Sequence, residues 1–237
     1  MIWDNFKELF HESWHHKMQP WVESEDCDRV YGFLKKESRR GKKIAPLASD
    51  VFKAFQLTPF DELKVVFMGL SPYHTFKHGT PVTDGLLMSC SITGRLQPSL
   101  EKFYEAIEKE LYEGLSLHII KDPDLTYLAQ QGVLLTNASL TVEMNKPGSH
   151  LKIWEPFIQY LLSEVLFGTG VPIVFLGKEA GKYERWVAPF THRFVVTHPA
   201  SASYSDMDWN SEGIFRAINK ILKDSNGEEI EWIQKIE

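Results

Sequence analysis

This sequence predicts an α/β fold: a single domain over residues 1–237, with a central four-stranded, mainly parallel sheet and helices on both faces. Three observations carry that expectation. Four short apolar runs rich in β-branched and aromatic residues recur at 65–68, 133–136, 172–176 and 194–197. Stretches with helical apolar spacing separate them. Each run is cut short by a glycine or a polar residue, at Gly69, Asn137, Gly177 and His198. In a parallel sheet these four ends share one edge, and ligands of open α/β sheets sit beyond that edge.

Trp3, Phe6, Phe10 and Trp14 recur at three- and four-residue spacing and give a first helix one apolar face. Pro20 is expected to break the pattern, and Val30, Phe33 and Leu34 resume it up to about Arg40. The basic run Lys35, Lys36, Arg39, Arg40, Lys42 and Lys43 reads first as a solvated helix end, and second as a phosphate contact. His11 and His15 stand four residues apart, but no third ligand lies nearby, so surface histidines are expected rather than a metal site. The first strand leads into Leu70, Ser71, Pro72, Tyr73 and His74, where Gly69 admits a close ligand and Pro72 stiffens the turn. Residues 75–84 read as a polar loop. Pro98 opens a helix reaching about Tyr112, with Leu100, Phe103, Tyr104, Ile107 and Leu111 on its inner face. Further helices are expected near 122–131, 154–167, 178–187 and 211–222.

The composition, 43% hydrophobic and 24% charged, is ordinary for a globular protein. No apolar run approaches the length of a membrane-spanning helix, and the first residues lack the layout of a signal peptide. Two cysteines, Cys27 and Cys90, fit thiols kept reduced, so an intracellular location is expected. A net charge of −6 argues against indiscriminate nucleic-acid binding through a broad basic face. A local basic groove is compatible with it, because part of the acidity sits in Glu228, Glu229, Glu231 and Glu237.

The segment Gly69-Leu70-Ser71-Pro72-Tyr73-His74 resembles the water-activating loop of the uracil-DNA glycosylases, which in that family reads Gly-Gln-Asp-Pro-Tyr-His. Four further segments, in the family's order, extend the resemblance from about Trp14 to Trp232. Gln97-Pro98-Ser99-Leu100 is similar to the Pro-rich phosphate loop. Residues 131–137, followed by Leu140-Thr141-Val142, are similar to the uracil-reading strand end. Gly177-Lys178 is similar to the loop that contacts the DNA backbone, and residues 198–203 to the His-Pro-Ser-Pro-Leu-Ser loop. The resemblance implies DNA as partner, single- or double-stranded, with no cofactor, metal or membrane. It implies that Asn137 pairs with the pyrimidine edge, to which an amide offers both a donor and an acceptor. His198 would donate to the base oxygen that gains charge as the glycosidic bond breaks. Tyr73 would wall off the 5-position, beside Leu70 and Met88. Ser99, Gly177, Lys178, Ala202 and Ser203 would lie against the DNA, giving a shallow dependence of affinity on salt because few phosphates are neutralised.

Four positions depart from the family pattern. Ser71 stands where the family has the Asp that positions the attacking water, and loss of that role costs on the order of 10² to 10⁴ in rate. Leu70 replaces a Gln, Met88 a base-stacking Phe, and Ala202 the Leu that wedges into the base stack. Asp84 is a candidate relocated carboxylate, set against the plainer reading of a surface-turn Asp. Two functions follow. One is a divergent glycosylase acting on a flipped uracil or modified pyrimidine, with Ser71 and His198 at the reaction centre. The other is a catalytically silent homologue that holds DNA or a replication or repair protein.

Overall fold

The computed structural model describes residues 6–113, 119–205, 207–225 and 227–235; Trp3 and Glu237 lie outside the described residues. The four anticipated strands are β1 (Val65–Gly69), β2 (Val133–Asn137), β3 (Ile173–Leu176) and β4 (Arg193–Val196). They form one sheet in the order β2-β1-β3-β4, with every pair parallel. Every residue of β1, β2 and β3 is buried, which is why these runs are apolar instead of alternating, up to the buried polar pair Thr136 and Asn137 that closes β2. At the sheet edge, β4 buries Val196 but exposes Arg193 and Val195. From β1 the chain goes to β2 on one side, then returns past β1 to β3 on the other. The switch point therefore lies between β1 and β3, flanked by the loops that follow Gly69 and Leu176.

The main helices are α1 (His15–Val22), α2 (Glu25–Arg39), α3 (Pro98–Leu111), α4 (Leu151–Tyr160), α5 (Pro199–Ser205) and α6 (Ile214–Asp224). Ser24 caps α2 by accepting from the Cys27 amide, with Glu25, Asp26 and Asp28 in the first turn and Lys36 and Arg39 in the last. Pro98 starts α3, where its missing N–H costs nothing. Aromatic rings join the helices to the sheet and to one another. Phe67 of β1 meets Phe103 of α3, Phe215 of α6 and Trp232 at ring separations of 6.1, 6.4 and 5.8 Å. A second cluster joins Trp21 of α1 to Phe157 of α4 at 4.6 Å, and Phe52 to Trp154 at 5.9 Å.

Several local expectations are corrected. Pro20 lies inside α1, and the turn comes at Glu23 and Ser24, because Met18 and Trp21 bury the inner face of that helix on either side of the proline. Residues 75–84 are not wholly irregular: Phe76–Lys77 and Thr80–Pro81 pair as a hairpin. The helix near 122–131 shortens to Thr126–Ala129, and the one near 178–187 to Lys178–Gly181 followed by a 3-10 segment. Two-residue pairings, Ile44–Ala45 with Val142–Glu143 and Ile119–Ile120 with Gln234–Lys235, are too short to leave a sequence period.

Candidate active site

Strand register brings the first two candidate groups together. Gly69 pairs with Asn137, and beyond the sheet the Ala138 and Ser139 amides donate to the Gly69 and Leu70 carbonyls at 2.8 and 3.0 Å. A Cβ at position 69 would stand 2.7 Å from Asn137 Oδ1 and 2.4 Å from Leu87 Cδ1, so only glycine lets that amide lie against the end of β1. Asn137 is 3% exposed, and its Oδ1 is buried with no hydrogen-bond partner in the protein. An unsatisfied acceptor of this kind costs about 1–3 kcal/mol until a bound donor reaches it.

A second cluster forms around Tyr73. Its hydroxyl donates to the Met88 carbonyl at 3.2 Å and lies 2.6 Å from Ser99 Oγ. Burial holds the phenol far above its ordinary pKa, so it stays neutral. Met88 is buried in the left-handed region at φ 60°, an uncommon conformation for a residue with a side chain. Ser99 is buried in the first turn of α3, its hydroxyl turned to Tyr73. The rest of the loop is tied to residues 145–148. The Gly148 amide donates to Ser71 Oγ at 3.3 Å, and the Asn145 amide to the His74 carbonyl at 2.9 Å. His74 Nδ1 is another buried atom without a partner.

Across the switch point, Gly177 adopts φ 96°, and a Cβ there would meet the His198 Cβ at 3.3 Å. The His198 Nδ1 accepts from the Ala200 amide at 3.1 Å, which places the ring proton on Nε2. Burial lowers the His198 pKa to about 4, so the ring is neutral at pH 7. Lys178 is exposed at the start of its short helix. In α5, Ser203 Oγ donates to the Ala200 carbonyl at 2.8 Å, and Ala202 is buried in the core rather than turned outward. Two residues on, Tyr204 is 91% exposed. Sequence reasoning passed over Tyr204, whose only signal is a ring set between Ser203 and Ser205.

Asp84 is not the surface-turn residue of the plainer reading. It is 2% exposed, accepts from Ser89 Oγ, Ser91 Oγ and the Leu86 and Ser91 amides, and pairs with Lys53 at 3.3 Å. It is a buried anchor of the segment carrying Met88, not a surface-turn residue, and its oxygens are already engaged. Among the histidines near the N-terminus, His11 bonds Ser13 and His15 bonds the Phe10 carbonyl. A concavity of about 820 Å³ lies apart from the four strand ends, between α2 and the 44–51 segment, and reaches toward them only at Thr141.

Residues 55–223 match the uracil DNA glycosylase superfamily. The chain belongs to this superfamily. The uracil-DNA glycosylase of Acinetobacter baumannii is 32% identical over 225 residues, covering 93% of this chain and 91% of that one. That of Coxiella burnetii is 35% identical over 207 residues, 86% of each chain. The crystal structure of mimivirus uracil-DNA glycosylase superposes with a TM-score of 0.82 over 96% of this chain and 89% of that one, at 23% identity. The fold is thus that of a uracil-DNA glycosylase, and the superfamily match takes in all four strand ends, from Gly69 to His198.

Proposed function

We propose that this protein is a divergent DNA glycosylase that receives a flipped pyrimidine, uracil or a modified relative, and hydrolyses its N-glycosidic bond. The observation that carries the reading is the buried, unpartnered Oδ1 of Asn137 at the end of β2, in a chain related to uracil-DNA glycosylases along most of its length. A uracil edge supplies an N–H to that oxygen and a carbonyl to the amide nitrogen. Neutral His198 offers Nε2–H to the base oxygen that gains charge as the bond from C1′ to the base breaks. The bonding pair leaves with the base, and water forms the new bond to C1′ and gives up its proton to solvent. Tyr73, held by Met88 and Ser99, is a rigid wall against a 5-methyl group. Gly177 and Lys178 lie where the DNA backbone would pass.

Ser71 sets the limit on rate. Its hydroxyl can hold a water but carries no charge to offset the positive character of the sugar, and Asp84 is engaged elsewhere. The wedge that supports a flipped base falls to exposed Tyr204, since Ala202 points inward. The test is excision from uracil-containing single- and double-stranded oligonucleotides, read after alkaline cleavage. Slow excision, faster on single strands and lost in Asn137→Ala, is the expected result. The neutral Ser71 favours a second reading, a silent homologue that holds DNA or a repair protein. No excision, together with Asn137-dependent discrimination of uracil-containing DNA, would establish that reading instead.

A further inference from the structure

A concavity of about 430 Å³ opens between the segments that follow His74 and Met88, lined by Lys77, His78, Thr80, Ile92, Thr93 and Arg95. Both of its walls grow from segments already described. One is the hairpin that follows His74, closed onto the loop by the Val82 amide donating to the Thr75 carbonyl at 3.0 Å. The other is the turn between Met88 and α3, where Cys90 Sγ donates to the Arg95 carbonyl at 3.1 Å. Both are tight. His78 and Gly79 are left-handed, at φ 51° and 85°, as a two-residue hairpin turn requires, and Gly94 is left-handed at φ 60°. The turns fix the backbone of Lys77 and Arg95 around one hollow, so a ligand has only their side chains left to order. Lys77, His78 and Arg95 are exposed, and neither Lys77 nor Arg95 has a carboxylate within 4 Å among the described residues. Most other lysines and arginines outside the basic run at 35–43 do pair with acids, as Lys53, Lys102, Lys109 and Lys121 show.

We propose that this hollow is a second DNA contact, which takes the phosphodiester backbone of the strand beyond the flipped nucleotide. The inference rests on the glycosylase reading for the position of the strand, but not on turnover. A phosphate oxygen suits the site because Lys and Arg neutralise its charge while the exposed Thr80 hydroxyl adds a donor. It also gives a net acidic chain a local cationic track, without a broad basic face.

The experiment measures binding of a labelled, uracil-free 20-nucleotide single strand by fluorescence anisotropy across a series of KCl concentrations. Each phosphate contact on a single strand contributes about 0.7 to the slope of log affinity against log salt. Lys77→Ala/Arg95→Ala is expected to lower that slope by about 1.4, with weaker binding at low salt. Lys220→Ala/Lys223→Ala removes the same charge from α6 and should leave the slope unchanged. A wild-type slope in the first variant, or an equal fall in both, overturns the proposal. Uracil excision is scored separately on the wild type. Excision with an unchanged slope sinks only the second contact, whereas a reduced slope without any excision or uracil discrimination sinks only the base-site reading.

Discussion

At the scale of single residues, the site is defined by what three side chains lack or hold. Asn137 lacks a partner for a buried oxygen, Ser71 lacks a charge, and His198 holds its proton on Nε2. Ser71 Oγ already accepts an N–H from Gly148, and a carboxylate can accept the same bond. Ser71→Asp is therefore expected to fold normally and to raise uracil excision by on the order of 10², most clearly on single-stranded DNA, where no stacked partner strand resists flipping. Unchanged excision in single-turnover assays would show that another group holds the water. His198 gives a pH signature. Its folded-state pKa, lowered by burial to about 4, lies below that of the unfolded chain, so the unfolded chain takes up the proton first. The stability contributed by the neutral ring is complete above about pH 6.5 and is lost as the pH falls toward 4. Urea midpoints should fall through that window in the wild type and fall less in His198→Gln. Equal falls in both proteins would place the titration elsewhere.

At the scale of elements, the loops are positioned by buried polar anchors as much as by the strands they follow. Asp84 gathers Ser89, Ser91 and Lys53 beneath the segment that turns Met88 into its left-handed conformation. Asp84→Ala leaves a partly buried ammonium and two hydroxyls without their acceptor, at a cost of about 3–5 kcal/mol. Denaturant unfolding should report that loss. Full stability with abolished excision would instead identify Asp84 as the catalytic carboxylate. Helix α5 shows the same dependence on packing. A leucine at Ala202 would overfill a buried site at a cost of about 1–3 kcal/mol rather than reach a DNA stack, because the outward position belongs to Tyr204.

At the scale of the whole molecule, the C-terminal segment closes the core on one face of the sheet. Trp232 is fully buried, its ring 4.9 Å from Phe215 and 5.8 Å from Phe67, and its Nε1 donates to Asn219 Oδ1 at 3.2 Å. Trp232→Ala is expected to cost about 3–5 kcal/mol, because the indole's apolar burial disappears and a cavity opens between Phe67 and Phe215. Urea denaturation showing a change below about 1 kcal/mol would mean that this segment contributes little to the core. The link matters for function because Phe67 lies two residues before Gly69, against which Asn137 rests.

What the sequence alone determined is whatever repeats or terminates locally. Runs of consecutive apolar residues marked the three buried strands, since a strand covered on both faces favours apolar side chains on both. The abrupt stops at Gly69, Asn137, Gly177 and His198 marked the edge where they end, and the order of five motifs pointed to the superfamily. Tertiary structure alone decided which of the polar and small residues near that edge are buried and which are exposed. Asp84 and Ser99 look like surface polar residues in sequence and are buried anchors; Ala202 faces inward, while Tyr204 does not. The hairpin and the hollow between Lys77 and Arg95 were likewise invisible, because their walls lie on separate turns. The reason is physical: burial and hydrogen bonding depend on neighbours distant in the chain, and neither composition nor spacing records which side of a short helix or turn those neighbours cover.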